Sequence, residues 1–158
     1  MYPLTNPVVS VEPMLAVPAF YQRFRENLDA GGTLFIARGF PQRSDEFFAD
    51  DTGYQKYAGC LIDGDHDRPH PLNDAQNCAK YLAESGCILF HDFSGAPVQE
   101  AVLWLMDHGF KCRVYWTPHM MACCFRGSFE PPDHIRDERL PWRSIKHMMY
   151  PFPFERCV

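Results

Sequence analysis

Short apolar runs that stop abruptly at charged residues or glycine recur along this chain, and between them lie stretches whose apolar positions fall at helical spacing. Val8-Val9-Ser10-Val11-Glu12-Pro13 is β-branched and closes on an acid and a proline, which predicts a strand ending at Glu12. From about Pro18 to Ala30, Phe20, Tyr21, Phe24 and Leu28 repeat at helical intervals before the stop signal Gly31-Gly32. Thr33-Leu34-Phe35-Ile36-Ala37 is a second strand-like run and ends at Arg38-Gly39. Strand, helix and strand together predict a βαβ unit.

The polar stretch from Phe40 to Tyr57 predicts a short helix around Ser44 to Ala49, with Ser44 as its N-cap and Phe47 and Phe48 turned inward. Ala58-Gly59-Cys60-Leu61-Ile62 then runs into Asp63-Gly64-Asp65-His66-Asp67, a helix is expected from about Leu72 to Ser85, and Gly86-Cys87-Ile88-Leu89-Phe90 runs into His91-Asp92. Pro97 suits the first turn of a further helix, where Val98, Ala101, Val102, Leu105 and Met106 cover one face up to Gly109. Lys111 to Thr117 and Met120 to Arg126 are separated only by Pro118-His119, too close for a parallel crossover, so they predict an antiparallel hairpin at a sheet edge. The expected organisation is an α/β domain over residues 1–129 and a Pro- and aromatic-rich tail over 130–158.

Buried parallel strands read as apolar runs, and ligands of open α/β sheets bind at their carboxyl ends. Two such ends side by side would gather Asp63, Asp65, His66, His91 and Asp92. Asp63 and Asp92 follow directly on apolar runs, and like charges brought together repel unless a cation or protons intervene. Asp67, His70 and Asp74 read as turn formers or solvated groups, and His108, His119, His134 and His147 as incidental.

Composition narrows the field. A 158-residue chain with 46% hydrophobic and 22% charged residues can build a hydrophobic core. Its formal charge of −5 gives no basis for nucleic-acid binding. No apolar stretch reaches membrane-spanning length and the opening residues lack the pattern of a secretory signal, so the expected location is the cytoplasm. The seven cysteines follow no regular spacing and read as reduced core residues. Cys112, His119, Cys123 and Cys124 match no common zinc-ligand spacing and are expected to be structural.

In this order and at these spacings, Ile62-Asp63-Gly64-Asp65-His66 and Ser85-Gly86-Cys87-Ile88-Leu89-Phe90-His91-Asp92 resemble the strand-end signatures of class I S-adenosylmethionine-dependent methyltransferases, in particular the small-molecule O-methyltransferase branch. The resemblance covers about Val8 to Gly127. It implies a Rossmann-like, mostly parallel sheet with a C-terminal antiparallel hairpin, lacking the usual first strand and helix, because no glycine-rich loop stands before Val8. That missing strand would lie mid-sheet, so the gap is expected to be filled or bypassed by a rearranged sheet, a strand from a second copy of the chain, a partner that covers the exposed strands, or an upstream part of the natural protein.

By the same likeness, Glu12 would accept hydrogen bonds from the cofactor ribose, with Gly39 and Phe40 at the next strand end and Asp63 completing the cofactor-binding set. Asp63, His91 and Asp92 would hold a divalent metal such as Mg²⁺ or Mn²⁺. His66, with Asp63 and His91, would form the catalytic set, His66 acting as general base because imidazole titrates near neutrality. The implied function is S-adenosylmethionine-dependent O-methylation of a small-molecule hydroxyl, on a sugar or another acceptor. Two alternatives are a catalytically degenerate methyltransferase-fold module acting in self-association or partner binding, and a metal-dependent hydrolase.

Overall fold

The computed structural model describes residues 8–32, 37–50, 56–134 and 152–158. The chain divides into two compact units, Met1–Thr52 and Gly53–Val158.

In the first unit β1 (Val8–Val11) and β2 (Ala37–Phe40) pair in parallel, with Val11 opposite Phe40. The connection is a 3-10 turn, Pro13–Ala16, followed by α1 (Pro18–Ala30), so the expected βαβ unit is present. Of the expected strand Thr33 to Ala37, positions 33–36 lie outside the described residues, and the described strand continues to Phe40. Pro18 opens α1, where its fixed φ suits the helix and its missing N–H costs nothing. At the other end the Gly31 amide donates to Asn27 O at 3.0 Å, and Gly32 takes φ +66°. The short helix α2 (Ser44–Ala49) buries Phe47, whose ring meets Phe40 and Phe48 edge-on at 5.0 and 5.2 Å. Ser44 is the first helical residue of α2, not its cap. Arg43 holds the cap position, and its amide donates to Glu46 Oε2 at 3.2 Å.

The second unit is a four-stranded sheet in the order β3 (Tyr57–Ile62), β4 (Leu82–Phe90), β6 (Met121–Arg126), β5 (Lys111–Tyr115). β3 and β4 run parallel, joined by α3 (His70–Tyr81), while β4–β6 and β6–β5 are antiparallel. The hairpin therefore forms as expected, but β6 inserts between β4 and β5. α4 (Ala96–Asp107) buries Val98, Ala101, Val102 and Leu105, the apolar face that the sequence spacing defines. The valine and leucine side chains among them each contribute about 1.5–3 kcal/mol on removal from water.

α3 stops at Tyr81, earlier than the expected Ser85, and Leu82 is already extended. Two contacts account for this. The Arg126 guanidinium donates to the carbonyls of Ala79, Leu82 and Ala83, taking up acceptors that a helix end leaves orphaned. Gly86 lies so close to β3 that a Cβ there would sit 2.5 Å from Ala58 O, so glycine permits the close pairing of this stretch with β3.

Ile88, Phe90, Phe93, Cys112, Ala122 and Cys124 are at or below 2% exposure and fill the centre of the unit. β3 departs from a doubly buried strand: among its residues only Ile62 is buried, and Leu61 is 61% exposed. Among the described residues no strand flanks the outer edge of β3. The edge at β5 is covered, since the Val158 amide donates to Cys112 O at 2.9 Å. The tail residues also place Phe152 against Phe93 at 4.7 Å and Phe154 against Trp116 at 5.5 Å.

Candidate active site

The carboxyl ends of β3 and β4 lie side by side, and the ladder between them extends one step further, because the His91 amide donates to Ile62 O at 3.1 Å. The next residues are therefore thrown together. Asp63 and His66 come from the loop after β3, and His91 and Asp92 from the turn after β4. One ligand atom from each of these four residues lies within 4.8 Å of the other three. Neighbouring acids do local work instead: Asp65 Oδ1 accepts from the Asp67 amide at 2.9 Å, and Asp65 Oδ2 stands 3.6 Å from His70 Nε2.

The contacts inside the cluster are close but poorly directed. His91 Nδ1 is 2.9 Å from Asp63 Oδ1 and 3.2 Å from Asp92 Oδ2, and His66 Nε2 is 3.7 Å from Asp92 Oδ2. Both nitrogens are shut off from solvent, and neither has a partner in hydrogen-bond geometry among the described residues. A buried polar atom without a hydrogen bond is costly. Two imidazole nitrogens left this way, facing two carboxylates, fit the donor set of a divalent cation of the Mn²⁺, Fe²⁺ or Zn²⁺ type. The backbone is committed as well, since Asp92 takes φ +48°, a conformation that disfavours every residue except glycine and, less strongly, Asn and Asp.

A residue that the sequence marked as incidental belongs to this cluster. His119, in the β5–β6 turn, places Nδ1 3.3 Å from Asp92 Oδ1, and its ring stacks on His91 with centroids 5.0 Å apart. No local motif flags it, because its proximity depends on β6 pairing with β4. Cys112, Cys123 and Cys124 are buried and all seven cysteines are free, as expected of structural thiols.

Of the residues expected to bind the cofactor, Glu12, Gly39 and Phe40 stand in the N-terminal unit and Asp63 in the second. Glu12 ends β1, its amide donates to Phe40 O at 3.1 Å, and its Oε1 accepts from the Met14 amide at 2.9 Å. A carboxylate has further lone pairs to offer beyond that capping bond. Gly39 is packed beneath two side chains, since a Cβ there would meet Leu15 Cδ1 at 2.8 Å and Phe24 Cε1 at 3.0 Å. Phe40 is half-buried against Phe47.

Comparison with known proteins gives this arrangement a class. The model of a family described as a methyltransferase domain matches residues 6–93, more than half of the chain. The chain belongs to that family. Its fold is similar to a candidate O-methyltransferase from Klebsiella pneumoniae, with TM-score 0.65 and 12% identity over 77% of this chain and 62% of the other. It is also similar to the O-methyltransferase TomG from Streptomyces achromogenes, involved in tomaymycin synthesis and solved with SAM, with TM-score 0.62 and 11% identity over the same shares. A SAM-dependent O-methyltransferase from Thermotoga maritima matches with TM-score 0.57 and 14% identity, over 82% of this chain and 53% of the other. The chain thus spans less than two thirds of the length of these three proteins. No curated sequence relative matches it. The fold is the Rossmann-like α/β fold of class I methyltransferases, and among the described residues no helix is long and apolar enough to cross a membrane.

Proposed function

We propose that this chain takes part in S-adenosylmethionine-dependent methyl transfer to a hydroxyl oxygen of a small molecule, and that Asp63, His91 and Asp92 hold a divalent cation at the acceptor side. The supporting observation is the pair of solvent-shielded imidazole nitrogens, His66 Nε2 and His91 Nδ1, facing Asp63 and Asp92 without hydrogen bonds among the described residues. A bound cation would supply a lowered pKa for an acceptor hydroxyl and a fixed orientation for it. In the transfer the methyl group leaves the sulfonium sulfur for the acceptor oxygen, and the hydroxyl proton must go to a base.

His66 presents Nε2 to the same centre, from where it serves either as that base or as a further cation donor. On the cofactor side Glu12 stands at a strand end, suited to a pair of hydroxyl donors, with Phe40 next to it.

Calorimetry and a labelled-methyl transfer assay test the two halves. The wild type is expected to bind Mn²⁺, Asp63→Ala is expected to lose it, and labelled methyl from S-adenosylmethionine is expected to reach a hydroxylated acceptor. Absence of S-adenosylmethionine binding at millimolar concentration would sink the autonomous enzyme.

The exposed Leu61 on β3, whose outer edge no strand flanks among the described residues, favours a second reading, a fold module that associates with itself through that edge. Light scattering showing a dimer that Leu61→Lys converts to monomer would support it, and a wild-type monomer would remove it.

A further inference from the structure

We propose that His119 is a positioning residue for the cation centre: by donating from Nδ1–H to Asp92 Oδ1 it fixes the carboxylate with Oδ2 turned toward His66 and His91. The inference rests on the reading that Asp63, His91 and Asp92 bind a divalent cation. Four observations carry it.

The first is the division of labour within Asp92. Oδ1 faces His119 Nδ1 at 3.3 Å, whereas Oδ2 faces His91 Nδ1 at 3.2 Å and His66 Nε2 at 3.7 Å. A carboxylate that binds a cation through one oxygen and accepts a hydrogen bond on the other is oriented by the second contact. The second observation is the stacking of the His119 ring on His91, 5.0 Å between centroids and 25° between planes, so one side chain touches two of the cluster residues.

The third is that the turn is fastened to the site by backbone. The Phe93 amide, next to Asp92, donates to Met120 O at 3.1 Å, and the Met120 amide donates back to Thr117 O at 2.9 Å. Met120 holds φ +45°, so a non-glycine residue adopts the left-handed conformation in the turn that presents His119. Finally, His119 is 69% exposed in its side chain, so it adds little to the core, and among the described residues it meets Asp92 and His91.

Donation from Nδ1 fixes the tautomer of a neutral His119, leaving Nε2 as an acceptor on the open side. Asparagine carries its amide nitrogen at the position equivalent to Nδ1, one bond from Cγ. It can therefore replace this donor without replacing the ring.

The test is Mn²⁺ binding to the full chain, followed by calorimetry and by the electron paramagnetic resonance of free Mn²⁺, for wild type, D63A, H119A and H119N. H119A is expected to bind Mn²⁺ about tenfold more weakly or worse, the usual consequence of losing an outer partner of a metal ligand. H119N is expected to recover to within about threefold of wild type by the same principle. Metal-free H119A should melt within about 2 °C of wild type, as an exposed side chain predicts. Wild-type affinity in H119A overturns the proposal, and so does an H119N as weak as H119A. If D63A loses Mn²⁺ while H119A keeps it, the cation centre stands and the positioning role falls. If the wild type binds no Mn²⁺, both fall.

Discussion

The Phe93 amide donates to the carbonyl of Met120 at 3.1 Å, joining the residue after Asp92 to the residue after His119. Each partner neighbours or occupies a left-handed backbone position, φ +48° at Asp92 and +45° at Met120. Two unfavourable conformations held by one shared bond mark a segment fixed from both sides. The Phe93 amide is therefore expected to exchange with solvent as slowly as the amides of the β4–β6 ladder. Exchange at the rate of a surface turn, measured by deuterium labelling, would show that the bond does not persist.

Asp92 pits backbone ease against side-chain chemistry. A left-handed conformation costs a non-glycine residue about 1–2 kcal/mol, less for aspartate than for most. Asp92→Gly is expected to leave the metal-free protein as stable as wild type, or more stable by up to about 1 kcal/mol. The same substitution should abolish Mn²⁺ binding. Urea midpoints and calorimetry on the two proteins measure both effects, and a D92G protein that unfolds readily without metal would contradict the first.

Two glycines that look equally crowded should respond differently to alanine. At Gly86 the new Cβ would sit 2.5 Å from the backbone oxygen of Ala58, which cannot swing aside, and the cost is expected at about 1–3 kcal/mol or more. At Gly39 the obstacles are side chains, Leu15 Cδ1 at 2.8 Å and Phe24 Cε1 at 3.0 Å, which can give way where a backbone oxygen cannot, and the cost should be smaller than at Gly86. Urea denaturation of G86A and G39A provides the comparison, and equal losses would refute this distinction.

The tail can be assessed the same way. Phe152 is 6% exposed and meets the Phe93 ring edge-on at 4.7 Å. Phe152→Ala is expected to destabilise the protein by about 3–5 kcal/mol. A loss near zero in thermal or urea unfolding would mean that the tail rests loosely on the unit.

Cys87 and Cys123 make a pH-dependent pair. The hydrogen bond from Cys123 pulls the Cys87 thiol down to about 7 against the opposing effect of burial, while the same contact pushes Cys123 up. A depressed acid stabilises the fold fully above its unfolded-state pKa and loses that contribution as pH falls through its folded value, here near 7. Thiolate absorbance at ultraviolet wavelengths should show one step near neutrality that disappears in Cys87→Ser and moves upward in Cys123→Ala. A step that Cys123→Ala leaves in place would rule out the hydrogen bond as its cause.

Local pattern was enough to predict the elements and the core of the site. Val8–Val11, α1, α2, β3 and α4 appear where β-branched runs, helical spacing and proline starts place them, and Asp63, His66, His91 and Asp92 meet because two parallel strands end together. Other features depend on contacts distant in sequence. Helix α3 ends at Tyr81 because Arg126, forty-four positions beyond Leu82, takes up its terminal carbonyls. Burial of β3 on both faces was expected from its apolar run, yet Leu61 is exposed because burial depends on neighbours and not on composition. His119 is the clearest case, a histidine in a two-residue gap whose place is decided by β6 pairing with β4.

The left-handed aspartate at position 92 has a consequence for comparing related chains. Glycine is the residue that the backbone there would choose if nothing else mattered, so retention of an acid is a signature of retained chemistry. A relative with glycine at this position is expected to be the sturdier protein and the poorer cation binder, and the identity of one residue then sorts working members of the family from those that keep only its shape.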